Sequence, residues 1–354
     1  MTPEATTDGS RASGNRRPAV GTWVEVRSPE EIVATLDSQG DNARMPFMPE
    51  MLRFAGQRFQ VSASAHKTCD TANRTGGRRV RNAVHLADLR CDGSAHGGCQ
   101  AECLLFWKSA WLKPVDGPGS AAVSPSPALE QLLEGNTGAV QPTGTLRYRC
   151  QALQLFAATE PLAWWDIRQY WQDVRSGNAG LSYALSTLFL SWVFNLRRLP
   201  VGYRFNVWVY QQVHRLVRGV PDPHLHGTIP KGQPTPDERL DLKVGEVVEI
   251  RSKAEIEATV NGANRNRGLN IDEEMTISCG ERYRVSTRVD RIINEQTGEM
   301  MEFKNPCIVL DGVFCKGQYA GMRLMCPRRI TAYWREIWLK RIEPGGTAAR
   351  PGPG

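Results

Sequence analysis

The sequence predicts a mainly β protein with a helical insert, in which two copies of one small barrel-like domain are joined by an α-helical segment. Three observations predict it. The chain matches itself: Gly21-Thr-Trp-Val-Glu-Val-Arg-Ser returns as Gly245-Glu-Val-Val-Glu-Ile-Arg-Ser. From there Glu50-Met51 meets Glu274-Met275, Gly56 meets Gly280, and Cys91-Asp-Gly93 meets Cys315-Lys-Gly317, all at one constant offset. Within the first copy, short apolar runs bounded by turn residues predict five strands, too many and too short for anything but a small barrel. Between the copies lies an uncharged stretch whose apolar residues have helical spacing.

Residues 1–18 are polar and rich in Gly, Ser and Thr, which predicts a disordered tail without the apolar core of a secretory signal. A cytoplasmic location with reduced thiols is therefore expected. The first barrel spans 19–116. Its opening strand alternates from Gly21 and stops at Ser28, where Glu31 has capping-box spacing for a short helical turn. Further strands are expected at 58–61, 83–86, 104–108 and 111–115. Residues 117–146 form a flexible linker, relieved by a short helix at Ala128–Glu134.

The segment 147–218 is Trp-rich and helical. One helix is expected to start with Asp166 as N-cap, present Ile167, Tyr170, Trp171 and Val174 on one face, and stop at Gly177. No charge then occurs until Arg197-Arg198, and Leu181, Leu185, Leu188, Phe189, Trp192, Val193 and Leu196 predict a broad apolar helix. A helix clamped between the barrels is the plain reading. The alternative is peripheral membrane contact through 181–210, with Tyr203, Trp208 and Tyr210 at the interface, because Gly, Asn, Ser and Thr dilute the stretch too much for a span. A Pro-rich linker at 219–238, the second barrel at 239–344 and a disordered tail at 345–354 complete the chain.

The strand count, the G-x-x-V-E-V-R opening and the closing W-L-K strand resemble SH3-like barrels used as binding modules. The first copy is also similar to a recurrent bacterial family of uncharacterised proteins. That resemblance covers both repeats and implies a fold class without an activity.

Candidate chemistry concentrates between His66 and Trp111. Cys69, Cys91, Cys99 and Cys103 supply thiols, with His66, His85 and His96 nearby and glycines for tight turns. Cys91, His96, Cys99 and Cys103 predict a local zinc knot, and Cys69 in place of His96 gives a four-thiolate set suited to zinc or an iron–sulfur cluster. The second copy places Asp290, Ile293, Ala320 and Arg323 where the first has His66, Cys69, His96 and Cys99, so the full ligand set belongs to copy one alone.

Glu25 and Glu249 sit on predicted strand surfaces with nothing to pair them as acid and base, and no phosphate loop, nucleophile elbow or metalloprotease motif occurs. The expectation is a non-catalytic cytoplasmic metal-binding scaffold with a protein partner. Two alternatives stay open. One is an iron–sulfur or thiol redox protein. The other is nucleic-acid binding, which the net charge of +7 allows but the dispersed basic residues disfavour.

Overall fold

The computed structural model describes residues 17–196, 203–218, 223–319 and 323–342. Most of the predicted tail 1–18, all of the tail 345–354, and the positions of Arg197-Arg198 and Ala320 lie outside the described residues. The chain is mainly β, with several small antiparallel sheets and a few helices, and it divides into two compact units. The first holds Met1–Gly97, Leu104–Ala179 and Glu295–Glu299, and the second Gly98–Cys103, Gly180–Asn294 and Met300–Gly354.

In the first unit five strands lie in the order Trp107–Lys108, Ala83–Leu86, Arg58–Ser64, Trp23–Val26, Leu112–Pro114. Alternation builds the opening strand, whose Val24 and Val26 enter the core. Glu25 faces the other way and is nonetheless buried, against the expectation that it lies on the strand surface. It lies opposite Arg58 on one neighbouring strand and Lys113 on the other, and bonds both, at 2.8 and 2.9 Å. Ser28 and Glu31 then close the expected capping box over the helix Pro29–Val33.

The strands Trp107–Lys108 and Leu112–Pro114 sit at opposite edges of this sheet, yet only the 3-10 turn Ser109–Trp111 separates them in sequence. A turn of that kind advances only about 2 Å per residue, so the sheet must curl until its edges nearly meet. Phe47, Trp107 and Trp111 fill the curl, with the rings of Phe47 and Trp111 edge to face at 5.1 Å. Within the predicted linker, the helix Pro127–Glu134 adds Leu129 and Leu133 to the same core.

A second sheet, Glu160–Leu162, Gly76–Arg79, Lys67–Asp70, carries Cys69, with His66 just before its last strand. The helix packed beside it runs from Arg168 to Ser176 and stops at Gly177, which takes the left-handed conformation (φ 85°) that spares a Cβ clash. Its buried face corrects the sequence reading in part: Tyr170 is buried and Val174 half-buried as the expected face requires, but Ile167 and Trp171 are exposed and Gln169 and Asp173 are buried in their place. Ile167 stands at the N-cap, and Asp166 instead accepts the Arg168 amide.

The second unit's sheet runs Met300–Leu310, Arg282–Ile293, Val247–Ile250, Leu339–Arg341. Glu249 lies opposite Arg282 and Lys340 as Glu25 lies opposite Arg58 and Lys113. A 3-10 turn, Glu336–Trp338, again precedes the last strand, and here Trp334 and Trp338 meet edge to face in the core. The hairpin is where the units differ. In the second, Arg282–Ile293 continues without a break, whereas the matching chain in the first leaves the main sheet at Ala65 and His66.

The second unit also contains the helices Leu181–Leu196 and Tyr203–Arg218. The first has the expected bounds but is not buried all round: Ala184, Thr187, Leu190 and Val193 are covered, and Leu181, Leu185, Phe189 and Trp192 are exposed. Among the described residues no helix is long and apolar enough to cross a membrane.

Candidate metal centre

Glu50, Cys91 and His96 bring a carboxylate oxygen, a thiol sulfur and an imidazole nitrogen within 4.8 Å of one another in the first unit. Glu50 stands in the first turn of the 3-10 helix Pro49–Phe54, where the rigid φ of Pro49 starts the turn. Cys91 and His96 belong to the tight loop after strand Ala83–Leu86. Gly93 and Gly97, both at φ 71°, bend this loop back, and the amides of Gly93 and His96 bond the Cys91 sulfur and the Gly93 carbonyl. Arg53 on the Glu50 helix bonds Asp92 in the loop at 2.5 Å, tying the two ligand-bearing segments together.

The electrostatics of the group are unusual. His96 Nε2 lies 3.3 Å from Cys91 Sγ, and His96 is buried with its Nδ1 unbonded among the described residues. Burial lowers the His96 pKa, against the pull of Glu50 and Asp92, which favours the neutral ring whose lone pair a metal requires. Glu50 is only 6% exposed, and neither of its oxygens has a hydrogen-bond partner among the described residues. Burying a carboxylate without a partner is unfavourable, and a cation at this point would supply one.

The second unit shows what the same carboxylate does without those ligands. Glu274, also buried, accepts the amides of Lys316 (3.2 Å) and Tyr319 (2.6 Å) from the loop that begins at Cys315. There the carboxylate organises the loop through its backbone. In the first unit that service is absent, and a histidine and a thiol face the acid instead.

The remaining sequence candidates do not join this group. Cys69 is buried on Lys67–Asp70 opposite Gly77, while Cys99 belongs to the second unit and accepts the Ile293 amide at 3.3 Å. Cys103 is also in the second unit and half-buried. His85 is buried with Nδ1 2.8 Å from the Leu105 carbonyl and its ring against Phe106. His66 Nε2 lies 3.3 Å from Asp173, whose other oxygen takes the Lys67 ammonium at 2.5 Å.

Cys91 and His96 are the sequence candidates that fall in this group, and Glu50 was not among the candidates, because it lies far from both in the chain and belongs to no metal-spacing pattern. The available signal was the repeat, where Glu50-Met51 falls on Glu274-Met275. No family model, curated protein or solved structure matches the chain.

Proposed function

We propose that the protein is a metal-binding scaffold built on two SH3-like barrels, the first holding one divalent ion between Glu50, Cys91 and His96. The observation that carries this reading is the buried Glu50 carboxylate, unbonded at both oxygens and facing a neutral imidazole and a thiol. A mixed oxygen, nitrogen and sulfur set suits zinc, whereas iron–sulfur clusters are held chiefly by thiolates. Three protein donors leave a fourth position for water or for a group on a protein partner. The SH3-like assignment is supported by the strand order and by the 3-10 turn before the last strand of each unit.

Metal analysis after exposure to zinc and gel filtration tests the site. Full-length protein is expected to retain zinc, and Glu50→Gln, Cys91→Ser and His96→Asn to lose it, with Cys315→Ser as an unaffected control. A brown, sulfide-containing protein from anaerobic preparation, or zinc retained by all three variants, would overturn the assignment.

A further inference from the structure

The helices Leu181–Leu196 and Tyr203–Arg218 pack together in the second unit and leave an apolar surface uncovered. On the first, Leu181, Leu185, Phe189 and Trp192 recur at the spacing of one helical face and are 46–60% exposed. On the second, Phe205 and Trp208 are more than half exposed, with Arg215 and Leu216 on the face that continues from them. A soluble helix normally turns its apolar stripe inward, and the first helix buries Ala184, Thr187, Leu190 and Val193 as that rule requires. Its second apolar face therefore has no structural use within the unit. Large exposed patches of this kind mark interaction surfaces.

Charge identifies the occupant. From Gly180 to Pro221 the sequence has no Asp or Glu and five arginines, at 197, 198, 204, 215 and 218. Two copies of so cationic a segment repel each other. Aromatic and leucine side chains backed by arginine are the groups that settle at the boundary between headgroups and acyl chains of an anionic bilayer. Neither helix is long and apolar enough to cross it. We propose that these two helices dock the protein on anionic phospholipid, with Leu185, Phe189, Trp192, Phe205 and Trp208 entering the interface and the exposed Arg215 meeting the headgroups.

Flotation of the full-length protein with vesicles tests this. Vesicles of phosphatidylcholine mixed with phosphatidylglycerol are expected to carry the protein up the gradient, and phosphatidylcholine alone to leave it behind. A Phe189→Glu/Trp192→Glu variant should bind on the order of tenfold or more weakly, since it removes two insertions and adds two repelled charges. Val140→Glu, an exposed apolar site in the first unit, should bind like the wild type. An unchanged thermal unfolding midpoint in the double variant separates lost docking from lost fold. Failure of the wild type to float, equal flotation with both vesicle types, or undiminished binding by the double variant overturns the proposal. So does a stable dimer in solution that the double variant dissolves.

Discussion

At the scale of single residues, Glu50 and Glu274 form a matched pair with opposite surroundings. Both are buried, one unbonded among the described residues and one accepting backbone amides, those of Lys316 and Tyr319 among them. The same substitution should then have opposite effects. In the presence of a chelator, Glu50→Gln is expected to raise unfolding stability by up to about 1 kcal/mol, because it breaks no hydrogen bond among the described residues and an amide is less costly to bury than a carboxylate. Glu274→Gln should lower stability by about 1–3 kcal/mol, because its amide group turns a donor toward amides that need an acceptor. Urea titration of the two variants measures the difference. Destabilisation by both would mean that Glu50 has a bonded role in the metal-free protein.

At the scale of elements, a buried cluster fastens the helix Arg168–Ser176 to the strand Lys67–Asp70. Burial, reinforced by Lys67 and Arg17, pushes the His66 pKa from 6.5 down to about 3, and burial pushes Asp173 from 3.8 up to about 6 against the pull of Lys67. The depressed histidine contributes stability that is lost as pH falls below 6.5. The raised carboxyl contributes stability that is present below 3.8 and lost as pH rises toward 6. Between about pH 4 and 6 the unfolded chain carries the proton on histidine and the folded one on aspartate, so the two slopes cancel. His66→Asn leaves the Asp173 slope alone, and its stability relative to wild type should fall by up to about 1.4 kcal/mol per pH unit as pH rises from 4 to 6. Denaturation midpoints across that range decide it, and parallel profiles for the two proteins would exclude the cancellation.

This cluster also shows where sequence reading stops. Alternation located the strands Trp23–Val26 and Ala83–Leu86, and Gly177 marked the helix end, because these depend on neighbours in the chain. The inward turn of Asp173 and Gln169, and the outward turn of Ile167 and Trp171, depend on Lys67 and His66 about a hundred positions away. Polarity alone placed Tyr170 inside correctly but assigned Ile167 and Trp171 to the wrong side. Glu50 escaped for the same reason.

At the scale of the whole molecule, each unit has its own hydrophobic core, and the two cores share no residue. Calorimetry is therefore expected to show two unfolding transitions, with zinc raising the midpoint of one and leaving the other in place. A single transition, or an equal shift of both, would contradict a metal site confined to the first unit. The closing 3-10 turns have a bearing on behaviour at high concentration as well. Tying the edges of the first sheet together leaves rims only two and three residues long, Trp107–Lys108 and Leu112–Pro114, too short to template a strand from another chain. The second sheet ends instead on the long strand Met300–Leu310, and there Glu302, Lys304 and Pro306 interrupt the rim with charge and a missing amide. Protection against strand-to-strand self-assembly thus comes from geometry in one unit and from side chains in the other, and only the second kind can be removed by point substitution.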